Sequence, residues 1–100
     1  MLCSSLAVYL YFSLLKTFYC FDNQLSSLDV SSNLDLENLH CYENQITNID
    51  LSQNTLLYDL QVHENQLTSL DVTNNLNLWR LWLHQNQISS LDLSQNPNLI

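Results

Sequence analysis

The chain of 100 residues contains no glycine and a single proline, and its charged residues are 2 basic against 10 acidic. Each scarcity excludes something. Without glycine the chain cannot build a phosphate-cradling loop of the nucleotide-binding kind, because those loops need backbone angles that glycine alone takes freely. A net charge of −8 argues against nucleic acid as a partner, since a binder of phosphate backbones needs a basic footprint to displace counterions. It also disfavours docking onto an anionic membrane surface. The three cysteines, Cys3, Cys20 and Cys41, are odd in number and lack C-x-x-C spacing, so no zinc or redox motif is indicated. The apolar start, Met1 to Leu15, has neither a basic n-region nor a small-x-small cleavage site. It is shorter than the roughly 20 residues of a membrane span, and no membrane insertion is expected.

What is present in excess is leucine, 23 residues, and asparagine plus glutamine, 21 residues. Their placement is periodic. At a spacing of 21, Leu15, Leu36, Leu57, Leu78 and Leu99 fall in one column; Phe18, Leu39, Leu60 and Leu81 in the next; then Cys20, Cys41, Val62 and Leu83. Asn23, Asn44, Asn65 and Asn86 follow, and after three more apolar columns Asn33, Asn54, Asn75 and Asn96 close the period. A self-similar period of this length is the signature of a solenoid.

Each period holds the pattern twice, Leu36-x-x-Leu39-x-Cys41-x-x-Asn44 and then Ile46-x-x-Ile49-x-Leu51-x-x-Asn54. Two inward apolar positions separated by one outward residue are the alternation of a short half-buried strand. Ten or eleven residues per half leave no room for a helix. The expected fold is mainly β: flattened coils, each with a short parallel strand on either face, and apolar columns filling the space between. The two Asn columns are expected to turn the chain without glycine, by accepting left-handed backbone angles and by hydrogen-bonding turn backbone from coil to coil.

The string L-x-x-L-x-C-x-x-N-Q-[LI]-x-x-[LI]-D-[LV]-[ST]-x-N resembles the 21-residue class of bacterial leucine-rich repeats over Leu15 to Ile100, in about four units. The resemblance implies a right-handed solenoid, a carrier protein that is secreted or at the cell surface, and use in protein or ligand recognition. No catalytic residues come with it. Residues 1–14 keep a trace of the pattern, with Ser4-Ser5-Leu6-Ala7-Val8 similar to Ser26-Ser27-Leu28-Asp29-Val30, and are expected to form a degenerate half-coil or cap. The unfinished unit at Leu99-Ile100 is expected to mark a fragment of a longer array, or a chain that pairs end to end, because uncapped coils expose apolar surface.

Three clusters carry chemistry worth weighing. Cys20 and Cys41 share an inward column, but in-register strands stand about 4.8 Å apart whereas a disulfide wants Cβ atoms near 3.8 Å, so core packing is preferred. Asp29, Asp50, Asp71 and Asp92 form an outward column beside Ser31, Ser52, Thr73 and Ser94. Hydroxyl and backbone donors are preferred there over calcium, which wants six to eight oxygens. His63 and His84 share an outward column with Glu43, Glu64 and Gln85 in the next. That is a conceivable transition-metal set, but no second shell is visible in the sequence, so a plain surface role is preferred and no metal or other cofactor is expected. Serine and threonine line the strand opposite the histidines, which leaves no nucleophile–base arrangement. No enzyme is expected.

The two faces differ in variety. The second strand repeats small polar residues, while the first strand and its flanks change from coil to coil. Tyr19, Phe21, His40, Tyr42, Tyr58, His63, Trp79, Arg80, Trp82 and His84 all point outward there, and Trp, Tyr and Arg are enriched at interface hot spots. This face is expected to bind a protein, most tightly around Tyr42, Trp79, Arg80 and Trp82. Binding is expected to weaken below about pH 6.5 if the partner's site is cationic. A glycan-binding module and a structural spacer without a ligand are the rivals.

Overall fold

The computed structural model of the chain describes residues 7–9 and 14–100. Six strands of three residues lie among them: β1 (Ala7–Tyr9), β2 (Thr17–Tyr19), β3 (Ser27–Asp29), β4 (Asn38–His40), β5 (Asp59–Gln61) and β6 (Arg80–Trp82). Strands β2, β4, β5 and β6 form one parallel sheet in that order, and β1 pairs with β3 in a second. Phe18, Leu39, Leu60 and Leu81 stand directly beside one another across the larger sheet. The 21-residue period is therefore the sheet register itself. Beyond the strands the ladder continues through the N–H groups of Cys20, Cys41 and Val62, each donating at 2.9 Å to a carbonyl one coil on.

The inward columns make the core. Leu36, Leu57 and Leu78, Leu39 and Leu60, and Leu25, Ile46 and Leu67 are all buried between the two faces. Burying each such side chain contributes about 1.5–3 kcal/mol, so the same contribution is renewed in every coil. Cys20 and Cys41 are buried within this core, the packing role preferred from the sequence. Burial pushes the Cys41 thiol up to about 12, which keeps it protonated and unreactive.

Three details depart from the sequence reading. The second face was expected to carry a strand in every coil, but among the described residues it is regular strand only where β3 meets β1. Later coils are joined on that face by single main-chain bonds, from the N–H of Gln45, Gln66 and Gln87 to the carbonyls of Leu25, Ile46 and Leu67. The N–H that follows each glutamine is taken by an Asn side chain, as Ile46 donates to Asn65 Oδ1 at 3.0 Å.

The second departure is one of register. The Ser4–Val8 alignment places Ala7 against Asp29, whereas the strands pair Ala7 with Ser27, Val8 with Leu28 and Tyr9 with Asp29. A shift of two residues keeps the alternation of faces, which is why the weak sequence trace did not discriminate between the two registers. The remainder of the expected N-terminal half-coil lies outside the described residues.

The third concerns the turns. Among the described residues, those with left-handed backbone angles are Asp22, Glu43, Glu64 and Gln85, with φ between 55° and 57°, and none is an asparagine. Each stands just before an Asn of the first column. The second-column turns need no such angle, because they are successive i to i+3 turns: Asn54 N–H to Leu51 C=O at 3.0 Å, then Leu57 N–H to Asn54 C=O at 3.2 Å, a geometry most residues accept.

What the asparagines do is bond. Asn44 Nδ2 lies 3.0 Å from the carbonyl of Cys20 one coil back and 3.1 Å from that of Cys41, while its Oδ1 accepts the Leu25 N–H at 3.0 Å. Asn65 and Asn86 repeat the arrangement. Asn23 makes the local part of it, to Cys20 and Phe21. In the second column Asn54 donates to the carbonyls of Val30 and Asn33, both at 2.9 Å, and Asn75 and Asn96 follow suit.

Candidate recognition face

The outer side of the four-stranded sheet gathers all ten residues singled out for partner binding. Tyr19, His40 and Trp82 end β2, β4 and β6, and Arg80 opens β6. Tyr58 and Trp79 immediately precede β5 and β6, and Phe21, Tyr42, His63 and His84 follow the strands by two residues. In-register strands stand about 4.7–4.9 Å apart, close to the stacking distance of flat rings, so like positions in successive coils pile up. Phe21, Tyr42, His63 and His84 form one continuous stack, with centroids 4.7, 4.4 and 4.5 Å apart and ring planes within 15° of parallel. Tyr19 stacks on His40 at 4.3 Å and Tyr58 on Trp79 at 5.3 Å. Each such pair adds about 0.5–1.5 kcal/mol beyond its buried area.

Stacking changes which of these residues solvent can reach. Tyr19, Phe21, Tyr58 and Trp82 are between 42% and 51% exposed, but His63 retains only 7%. Tyr42 and His84 cover the faces of its ring, and Trp82 meets it edge-on at 5.7 Å. An outward position in the sequence pattern is thus a buried residue in the fold. Burial holds the His63 imidazole below its ordinary value, and the neighbouring His84 and His40 act in the same sense against the pull of Glu64.

Arg80 and two buried polar residues organise the centre. The Arg80 guanidinium lies 5.1 Å from the Trp79 ring and 5.7 Å from that of Trp82. Its Nη1 is 3.5 Å from Asp59 Oδ2, the oxygen that also lies 3.0 Å from His40 Nε2. Gln61 Nε2 donates to the other carboxylate oxygen at 3.3 Å. Asp59 and Gln61 are both buried and were not among the residues singled out from sequence. The available signal was the column Thr17, Asn38, Asp59, Arg80, in which a carboxylate stands one strand from a guanidinium.

The opposite face is locally satisfied. Asp29 Oδ1 accepts the Ser31 hydroxyl at 2.6 Å and its N–H at 2.9 Å, and Asp71 is bound likewise by Thr73. Asp50 and Asp92 accept the N–H of Ser52 and Ser94 at 2.9 Å. Hydroxyl and then backbone bonds hold all four carboxyls below the usual aspartate value. These are the hydroxyl and backbone donors that the sequence argument preferred.

Against solved structures, the chain is similar to the functional domain of InlJ from Listeria monocytogenes, described as including a cysteine ladder. The TM-score is 0.86 and the identity 38%, over 87% of this chain. The chain is a bacterial-type leucine-rich repeat protein. This leucine-rich repeat chain spans 19% of the InlJ chain, and its own Cys20 and Cys41 share one column that Val62 and Leu83 continue. Neither a protein-family model nor a curated protein matches it. Among the described residues no helix of this repeat protein is long and apolar enough to cross a membrane.

Proposed function

We propose that this chain is a recognition scaffold, not a catalyst, and that its partner is a protein bound on the outer side of the β2–β4–β5–β6 sheet. The placement at the cell surface or outside it belongs to the same proposal and rests on the family resemblance. The observation that carries the reading is the cluster of Trp79, Arg80 and Trp82, in which one guanidinium serves two tryptophan rings while Trp82 stays 48% exposed. Tryptophan and arginine dominate interface hot spots because they combine large buried area with fixed polar geometry. Asp59 holds Arg80 from below, so the cluster is preorganised, and less side-chain entropy is lost when a partner arrives.

The same geometry favours protein over glycan. A sugar ring stacks on an aromatic face, but in the Phe21–Tyr42–His63–His84 stack the inner faces cover one another. Ring edges are what such a stack offers outward. Edges suit the side-chain contacts of a protein better than the flat contact of a sugar.

The test is a peptide library displayed on phage and selected on the immobilised chain. Binders that emerge are expected to bind Trp82→Ala about 30-fold more weakly, the equivalent of about 2 kcal/mol, with the melting temperature nearly unchanged. Binders that ignore Trp82→Ala and need Asp50 and Asp71 place recognition on the other face. A glycan array that gives Trp82-dependent signals, with no peptide selected, favours the sugar reading; no ligand in either screen favours a spacer.

A further inference from the structure

We propose that His63, Glu64 and His84 form a binding site for a divalent transition-metal ion of the borderline class, such as zinc or copper. The inference is independent of the recognition reading and revises the plain surface role expected for these side chains. Ligand atoms of the three residues, one from each, all lie within 4.8 Å of one another. Two imidazoles and one carboxylate are a donor set that suits zinc, copper and nickel and does not suit calcium or magnesium, which want oxygen. Among the described residues no other group of three histidines, cysteines or carboxylates meets the same distance.

A second observation points the same way. His63 Nδ1 is buried and has no hydrogen-bond partner, and an orphaned buried nitrogen calls for a ligand, because buried polar atoms are otherwise paired almost without exception. The stack leaves the edge of the His63 ring open to a metal. Tyr42 and His84 cover the faces of the His63 ring and not its edge, where the nitrogen lone pair binds a metal; His84 joins the same ion by turning out of the stack, so that its ring plane meets that of His63.

The donors must close up to share an ion. Nitrogens bound at about 2.0–2.1 Å in a tetrahedral site stand roughly 3.3 Å apart. The adjustment of about 1.5 Å at most falls to His84, which is exposed, while His63 stays fixed by its neighbours. The three residues leave at least one coordination position for water. The overall charge of −8 raises the local concentration of cations at the surface.

Isothermal titration of the full chain with zinc at pH 7.5, in excess calcium, tests the site. One zinc per chain is expected, with at least a tenfold loss of affinity in His84→Gln and in Glu64→Gln, and no change in His40→Gln. Because His84 is exposed, its replacement leaves the fold intact, and circular dichroism on the same samples confirms it. Copper in place of zinc is expected to quench tryptophan fluorescence in the parent chain, since the Trp82 ring is 5.7 Å from that of His63, and to quench less in His84→Gln. Zinc affinity indifferent to His84→Gln and Glu64→Gln, or abolished by His40→Gln or by calcium, overturns the proposal.

Discussion

Asn65 Oδ1 accepts the backbone N–H of Ile46 at 3.0 Å, while Asn65 Nδ2 reaches the carbonyl of Cys41 at 3.0 Å. One side chain therefore closes two main-chain groups of the preceding coil, and both are buried. Replacing Asn65 by alanine leaves the buried Ile46 N–H unpaired, while the Cys41 carbonyl keeps its bond from Asn44 Nδ2, and is expected to cost about 1–3 kcal/mol in urea unfolding. Asn44→Ala should behave alike.

The second Asn column is expected to be less demanding. Asn54, Asn75 and Asn96 each donate twice, but their Oδ1 atoms are buried without a partner. Asn75→Ala removes two bonds and one orphaned acceptor together, so its cost should fall below that of Asn65→Ala. An exposed control, Gln53→Ala, is expected to stay within about 0.5 kcal/mol. Equal losses at all three sites in the same unfolding experiment would contradict the ladder.

Glu43 and Gln85 hold φ at 56° and 55°, a region that costs a non-glycine residue on the order of 1–3 kcal/mol. Glycine takes these angles freely but gives up more chain entropy on folding. The balance predicts that Glu43→Gly or Gln85→Gly stabilises the chain by about 1 kcal/mol, read as a higher melting temperature. Such a gain is unusual for glycine, and a loss at either site would show that the left-handed angle is not strained.

Asp59 is buried between His40 and Arg80. Asp59→Ala removes the carboxylate that both contact and leaves the guanidinium held by the tryptophan rings alone. A loss of about 1–3 kcal/mol is expected. Arg80 should also gain mobility, measurable as faster relaxation of its side-chain NMR signals.

The titrating groups predict a stability profile with two acid steps. His63 is depressed in the folded state, so below its ordinary value near 6.5 the unfolded chain binds the proton first. The stability it confers is complete above about pH 6.5 and is lost as the pH falls through the folded value. The four column aspartates are also depressed, and by the same sign their contribution holds above about pH 3.9 and disappears below it. Thermal melts between pH 8 and pH 2.5 should show both declines, and His63→Gln should remove the upper one alone.

The solenoid was legible in the sequence because every coil repeats the same physical problem. Leu39, Leu60 and Leu81 occur at 21-residue spacing since each must fill the same place between two faces, and the sheet register pairs them as the columns do. The ten outward residues could be assigned to one face for the same reason. β1 was not placed correctly, because its sequence carries only a trace of the pattern and a shift of two residues preserves the alternation.

Periodicity fixes which way a side chain points, and so this sequence by itself determined the fold class, the buried columns and the face on which Trp79, Arg80 and Trp82 stand. It says nothing of how outward side chains treat one another once the coils are about 4.8 Å apart. Only the tertiary structure decided that His63 is buried within a ring stack, that Asp59 joins His40 to Arg80, and that Glu64 and not Asn65 bears the left-handed angle. Those outcomes depend on contacts between neighbouring coils, where the residues that meet differ from one coil to the next and no repeat announces them.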